Sequence, residues 1–374
     1  MIIRDFEIEA CTLRKDDPTW RFALGASPVS DGQILRIGTD DGHEGFGYAS
    51  ATAHMGATKD GLKTELELFR PLVVGQDARE ITAILGRLDD ALQGAPQAKA
   101  AVDCALHDLL ASSLGVPLHV LFGGRVRDAV PILRILALKP PDEMAAQAQK
   151  LVDRGYSYLK IKVEGDVELD VARVRAIRRQ VGDDVHLTID ANQSYSPKDA
   201  VTAINRMAEC RLDLVEQPVA ADDFHGLALV TRAVSVTVEA DEAAGSLQQV
   251  FRLVAERAVD AISLKIPKLG GLRNTVAAAS LCAAGQIKYR LGAAVGSRLL
   301  AAHALHLACA LPAVDYACEL AEFDRLLDDP FEGLAVTDGV LKLPEGPGSG
   351  VRRIAAKKHA QPAGTESRRA GRVS

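Results

Sequence analysis

Between residues 158 and 268 one pattern recurs five times: Tyr158–Lys162 (YLKIK), Thr188–Asn192 (TIDAN), Leu214–Pro218 (LVEQP), Val238–Glu242 (VEADE) and Ile262–Lys268 (ISLKIPK). Each is a short apolar run that meets a charge at or near its end. From Lys162 the charges fall 28 residues on at Asp190, then 26 at Glu216, 25 at Asp241 and 24 at Lys265. That interval is one strand plus one helix, so each charge returns to the same end of the next strand. The segments between are helical in period. Val171, Val174, Ile177 and Val181 make one apolar stripe, stopped by Gly182. Val201, Ile204, Met207 and Ala208 make another, opened by Ser196-Pro197.

Outward from this stretch the same βα rhythm runs over residues 126–330 and predicts eight strands. They are Val130–Leu136, Tyr158–Val163, His186–Asp190, Leu212–Glu216, Val236–Ala240, Ala261–Ile266, Lys288–Gly292 and Val314–Glu319. That count and density predict an α/β fold, a modified (β/α) TIM-type barrel. A doubly wound open sheet has the same periodicity and stays open as the alternative. Residues 1–125 read as an N-terminal α+β domain. Ile2–Leu13 and Gln33–Thr39 are strands, the second followed by the turn Asp40-Asp41-Gly42. Ala98, Ala101, Val102, Ala105, Leu106, Leu109 and Leu110 mark an apolar helix face. Residues 331–356 contain a hairpin around Asp338-Gly339, expected to return to the N-terminal sheet. Residues 357–374 are polar and basic and read as a flexible tail.

The bulk numbers narrow the class. The chain has 374 residues, 48% hydrophobic and 25% charged, with a formal net charge of −6. That balance suits a globular protein and gives no footprint for nucleic acid. No apolar run reaches the roughly 18 residues of a membrane helix, and the N-terminus carries acids too early for a signal peptide. The six cysteines are scattered without a CxxC pair, and are expected as reduced, buried thiols. The expectation is a cytoplasmic protein that acts on a small molecule, with neither nucleic acid nor membrane as partner.

In a barrel, the five strand ends are neighbours around the C-terminal mouth, where catalytic groups are found. Asp190, Glu216 and Asp241 converging there would repel one another and raise at least one pKa. A hard divalent cation removes the conflict, and three carboxylates suit Mg²⁺, with Mn²⁺ as a substitute. Lys160 and Lys162 are two apart on one strand and share a face. Paired ammonium groups near a metal are expected to lower each other's pKa, leaving one able to accept a proton. Lys265, on strand six, stands nearly across the barrel. Singly these residues have bland readings: a KxK on a strand is usually a solvated face, and an acid at a strand end is usually a helix cap. Their order at one-unit spacing is what singles them out. His303 and His306 are expected as packed or capping residues rather than ligands.

These positions resemble the enolase superfamily, and within it the muconate-lactonising subgroup of the mandelate racemase/muconate lactonising enzyme family. The match consists of Lys160-Ile161-Lys162, Asp190, Glu216, Asp241 and Lys265 in order. Asp190-Ala191-Asn192, Glu216-Gln217-Pro218, Lys268 with Gly270-Gly271, the stretch AAVDCALHDLLASSLGVPLHVLFGG and the closing PEGPGSGV support it. The resemblance covers roughly residues 1–355. It implies catalytic Lys160, Lys162 and Lys265, a magnesium held by Asp190, Glu216 and Asp241, a capping N-terminal domain and a homo-oligomer. Loops near Arg14–Gly25 and Ser50–Thr58 would select a carboxylate substrate, with Trp20, Asn192 and Glu319 as contacts.

The implied reaction is α-proton abstraction through a metal-stabilised enolate, by a cycloisomerase of muconate type or a racemase/epimerase. A syn-dehydratase needs the same intermediate, and a Schiff-base aldolase using Lys265 is a separate, metal-free alternative. Two departures bear on substrate. The subgroup's dipeptide epimerases end strand eight with DxD, whereas this chain has Cys318-Glu319-Leu320-Ala321-Glu322, similar to the cycloisomerases. Gly296 stands where the family usually has an acid after strand seven, which predicts a roomier or more apolar pocket there.

Overall fold

Alternation along the first strands decides how the N-terminal layer packs. The computed structural model describes residues 1–354; the expected tail at 357–374 lies outside the described residues. Strands β1 (Ile3–Lys15), β2 (Val29–Thr39) and β3 (Glu44–Ser50) form an antiparallel sheet. Phe6, Leu35, Ile37 and Ala49 pack on helices α1 (Lys59–Val73), α2 (Ile81–Ala91) and α3 (Pro96–Ser113). The sheet rests directly on α3. A Cβ on Gly47 would lie 1.9 Å from the Ala101 carbonyl oxygen, so only glycine permits that approach.

Helix α3 is apolar on two faces, and this joins the layers. The predicted face, Ala98, Ala101, Val102, Ala105, Leu106 and Leu109, packs with the N-terminal sheet. Ala100, Cys104 and Ala111 on the other side belong to the barrel's core. Asp103 takes the backbone N–H of Arg273 at 3.0 Å, and Asp108 those of Phe46 at 2.9 Å and Ser349 at 2.6 Å.

The barrel is a parallel sheet in sequential order: β4 (Leu133–Leu136), β5 (Tyr158–Lys162), β6 (His186–Asp190), β7 (Leu212–Glu216), β8 (Thr237–Ala240), β9 (Ala261–Lys265) and β10 (Lys288–Gly292). Around it lie α4 (Pro141–Asp153), α5 (Val167–Val181), α6 (Pro197–Arg206), α7 (Phe224–Ala233), α8 (Leu247–Glu256), α9 (Leu272–Gly285) and α10 (Arg298–Ala310). Asp166, Ser196, Asp223, Ser246 and Ser297 cap α5, α6, α7, α8 and α10 by accepting a first-turn amide.

Closure departs from the expectation at both seams. The expected eighth strand, Val314–Glu319, contracts to two bridges, Cys318 to Ile132 and Glu319 to Gly292. Asp315 meets Tyr289 through both backbone and side chain: its amide donates to the Tyr289 carbonyl at 2.9 Å and its carboxylate accepts the Tyr289 amide at 3.0 Å. The expected first strand, Val130–Leu136, breaks at Ile132, and Ala129–Pro131 leaves the barrel sheet. It pairs with Val340–Lys342 of the C-terminal hairpin, which therefore does not return to the N-terminal sheet. Leu326–Leu327 pairs with Arg14 and Lys15 of that sheet, and the closing segment returns to the N-terminal domain beyond the hairpin, where the Ser349 amide donates to Asp108 at 2.6 Å.

The six cysteines are free and buried. Among the described residues no helix is long and apolar enough to cross a membrane. His303 and His306 lie buried in α10, and His306 Nδ1 is 3.1 Å from His119 Nδ1 while its Nε2 is 3.1 Å from the Ser349 carbonyl. They are packing residues, remote from the barrel's carboxylates.

Candidate active site

Register brings the strand-end charges together. Lys162 pairs with Asp190 across β5 and β6, and Asp190 with Glu216 across β6 and β7. Glu216 pairs with Glu239 on β8, so Asp241 projects one pleat beyond, on the same face. The chain leaves three of these strand ends in the left-handed region, with φ of 41° at Asn192, 37° at Gln217 and 61° at Ala294. Such backbone is costly for a residue with a Cβ and is held by surrounding bonds. Gln217 shows how: its side-chain oxygen accepts the amides of Asp241 at 2.9 Å and Ala243 at 3.0 Å. Asp241 precedes a short 3₁₀ turn but makes no side-chain cap, so the bland reading of that acid does not hold.

All six strand-end charges are buried. Lys160 donates to Glu216 at 2.8 Å and to Glu319, and stands 2.9 Å from Asp190. Lys162 donates to Asp190 and Asn192, both at 2.6 Å. Lys265 donates to Asp241 at 2.7 Å and lies 3.4 Å from Glu319. Gly292 lets Lys265 pass, since a Cβ there would lie 2.9 Å from its side chain. Lys268 holds the other Asp241 oxygen at 2.6 Å, and Arg290 pairs with both Glu216 and Glu239. Glu239 is thus committed to Arg290. Asn192 donates to Glu242 at 3.1 Å.

Among the side chains themselves the carboxylates dominate the electrostatics. Burial alone would lower the pKa of Lys160 and Lys265, but Asp190, Glu216, Asp241 and Glu319 outweigh it and raise both. The lysines are held as ammonium groups by the carboxylates; their mutual repulsion is the smaller effect. Asp190 and Asp241 fall below the carboxylate range, because the surrounding lysines outweigh burial. Glu216 goes the other way: burial and then Asp190 push it up to about 8. One of three clustered acids is therefore raised, as the convergence predicts.

Lysines occupy oxygens of Asp190 and Asp241, and among the described residues no preformed cluster of three metal-ligating groups stands out. The donors nevertheless suit a hard cation. All are carboxylate oxygens, Glu216 is raised by burial and by Asp190 despite its cationic partners, and Glu242 keeps a buried Oε2 without a partner among the described residues.

A cavity of about 380 Å³ opens over this cluster. Lys162, Lys265, Asp190, Asn192, Asp241 and Glu319 line one part of it; Lys160 and Glu216 do not, and serve from beneath. Trp20, Phe22, Val29, Met55, Ile135 and Val295 supply apolar wall. The Arg21–Glu164 pair and the bond from the Leu138 amide to the Arg21 carbonyl at 3.0 Å tie the Trp20 segment to the barrel. Next to Gly296 the cavity is not roomier. A Cβ there would lie 2.7 Å from Tyr48, whose ring fills the space, and Ala294 and Val295 make the wall apolar.

Sequence reasoning passed over Lys15, His54 and Arg290. Lys15 continues the inward phase of Cys11 and Leu13 on β1, which is a readable signal for a buried lysine. Arg290 lies between Tyr289 and Leu291 in an apolar strand, a similar signal. His54 lies in a short 3₁₀ turn with no periodicity, on the lining of the cavity.

Comparison with known proteins agrees with this geometry. Residues 9–123 match the mandelate racemase/muconate lactonizing enzyme N-terminal domain, and residues 143–355 the enolase C-terminal domain-like family. A hydrophobic dipeptide epimerase of Enterococcus faecalis is 36% identical over 78% of this chain and 82% of its own. A chloromuconate cycloisomerase of Cupriavidus necator is 35% identical over 75% and 77%. The solved dipeptide epimerase of Enterococcus faecalis V583, complexed with Mg and L-Leu-L-Tyr, superposes with a TM-score of 0.90 at 34% identity, covering 94% of this chain and 99% of that one. With both domains matched and the strand-end charges brought together in one site, this chain belongs to the mandelate racemase/muconate lactonizing enzyme family of the enolase superfamily, and is an isomerase.

Proposed function

We propose that the protein is a magnesium-dependent isomerase that removes and returns the proton α to a substrate carboxylate, by 1,1-proton transfer between Lys162 and Lys265. The observation that carries this is the placement of both lysines in one cavity, from strands far apart in the barrel order, each bonded to a different carboxylate. One lysine takes the proton from one face of the α-carbon and the other returns it to the opposite face. Asp190, Glu216 and Asp241 would hold the metal. Magnesium there supplies positive charge where negative charge develops on the substrate carboxylate, the larger contribution to rate.

The remaining residues prepare this chemistry. Asp190 would share its oxygens between Lys162 and the cation, and Asp241 between Lys265, Lys268 and the cation, so both lysines stay beside the site where the substrate carboxylate would bind. Asn192 orients Lys162, Lys268 orients Asp241, and Lys160 with Arg290 balances the buried Glu216 from below. Glu319 is committed to Lys160 and Lys265, and Glu322 to Arg134 and Arg325. No carboxylate at the end of the closing segment is left for a free amino group. An amino-acid substrate would therefore be N-acylated.

Cycloisomerisation of an unsaturated dicarboxylate is the second reading, favoured by Cys318-Glu319-Leu320 in place of DxD. It needs only one of the lysines. NMR in D₂O with Mg²⁺, over N-acylated amino acids and muconates, separates the two. Epimerisation with solvent deuterium at the α-carbon, lost in Lys162→Ala and Lys265→Ala, supports 1,1-transfer. Racemisation retained in Lys265→Ala counts against the two-base scheme.

A further inference from the structure

The barrel carries a second cavity, at the end opposite the mouth. Its volume is about 490 Å³, within the range of small-molecule sites. Tyr158, His186, Thr237 and Lys288, the first residues of β5, β6, β8 and β10, line it, so it opens at the N-terminal face of the strands. Arg290 reaches it from inside the barrel and is only 1% exposed. Its Nε and Nη2 are committed to Glu239, at 2.9 and 2.6 Å, and Nη2 to Glu216 as well. The Nη1 hydrogens are left for the cavity, with no acceptor among the described residues. Thr188, 4% exposed on the same wall, has a hydroxyl that likewise makes no bond among the described residues.

The charges of this wall are unevenly matched. Among the described residues Lys288 has no carboxylate within ion-pair distance, and its Nζ lies 5.5 Å from the centre of the Tyr316 ring. Arg127 has none either, and donates to the carbonyls of Ala308, Leu311 and Pro312. Both acids of the wall are engaged: Asp213 with His186 at 2.9 Å, and Asp315 with the Tyr289 amide at 3.0 Å. Uncommitted donors and unpaired cations around one cavity suit a ligand that is anionic and accepts several hydrogen bonds.

We propose that this cavity binds a small oxyanion, a phosphate or a short carboxylate, held by Arg290 Nη1, the Thr188 hydroxyl and the Lys288 ammonium. The site is separate from the catalytic mouth and does not rest on the reaction proposed above. Arg290 nevertheless touches Glu216, so the two ends of the barrel are joined through one side chain.

Calorimetric titration of the full chain in EDTA, with inorganic phosphate and separately with malonate, tests this. Saturable binding of at least one of the two is expected, and the tighter of them assigns the ligand to phosphate or carboxylate. Lys288→Met and Thr188→Val leave the buried Arg290–Glu239 pair intact, so the fold should survive both. Each should weaken binding about tenfold, the loss of one hydrogen bond to a charged group. Lys15→Met and Lys162→Ala, at the opposite end, should change it by less than about twofold. No saturable binding of either anion would mean a cavity filled by water alone and would overturn the proposal. Binding lost in Lys15→Met or Lys162→Ala but unchanged in Lys288→Met and Thr188→Val would overturn it too, by placing the anion at the mouth.

Discussion

The barrel mouth and the wall above it bury charge in opposite ways. At the mouth, five cations, Lys160, Lys162, Lys265, Lys268 and Arg290, meet the carboxylates Asp190, Glu216, Glu239, Asp241 and Glu319 in one connected network. In the wall, Lys15 stands over an aromatic ring with no counter-charge. The first region is balanced by its own chain and positioned by strand register. The second is left unbalanced, on a segment that belongs to the N-terminal layer. The difference divides the molecule: the regular scaffold holds the candidate reacting groups, and the irregular cap sets a cation in the cavity wall with an aromatic ring as its neighbour.

The largest expected effects come from breaking the mouth. Lys162→Ala and Lys265→Ala should each lower kcat for epimerisation by roughly 10²–10⁴-fold, the range for a positioned acid or base. Asp241→Asn should abolish magnesium-dependent turnover while leaving the fold intact by circular dichroism. A Lys265→Ala enzyme with wild-type kcat would place the two regions on an equal footing and end the division.

The wall should respond by degree. Lys15→Met should change KM more than kcat, because Lys15 lines the cavity wall and does not touch the strand-end lysines. A loss confined to kcat would move Lys15 from recognition into the chemistry.

The joint between the regions gives the smallest effect. His303 of α10 is buried, has no partner on either ring nitrogen, and has its pKa lowered by burial to about 4. It is neutral in the folded protein, while in the unfolded chain it takes up a proton near its ordinary pKa of about 6.5. Its contribution is therefore fully present above about pH 6.5 and is lost as pH falls toward about 4. Calorimetry should show the gap in Tm between wild type and His303→Leu shifting toward the variant across that window, by roughly a few degrees. A gap that stays constant with pH would show that His303 does not titrate with unfolding.

The two regions also differed in how far the sequence revealed them. Lys162, Asp190, Glu216, Asp241 and Lys265 were legible because a strand and a helix consume a nearly fixed length, so position in sequence converts into position around the mouth. Their partners were less so. The commitment of Glu239 to Arg290 and the grip of Lys268 on Asp241 are contacts between separate strands and turns, which periodicity does not report. The contraction of the eighth strand to two bridges leaves no mark in the residue pattern of Val314–Glu319. The space at Gly296 depends on Tyr48, more than two hundred residues away in the other layer. Lys15 was readable in principle from the inward phase of β1, but its lack of a partner becomes visible only when the whole wall is assembled.

The central claim is that Lys162 and Lys265 face one α-carbon over a cation held by Asp190, Glu216 and Asp241. The most direct test is α-proton exchange by NMR in D₂O with Mg²⁺, on wild type, Lys162→Ala and Lys265→Ala, with each enantiomer of an N-acylated amino acid supplied separately. Wild type should exchange and epimerise both enantiomers. Each variant should exchange only the enantiomer whose proton faces the remaining lysine, without inverting it, and EDTA should stop all exchange. Exchange that persists in EDTA, or variants that still invert configuration, would contradict the account.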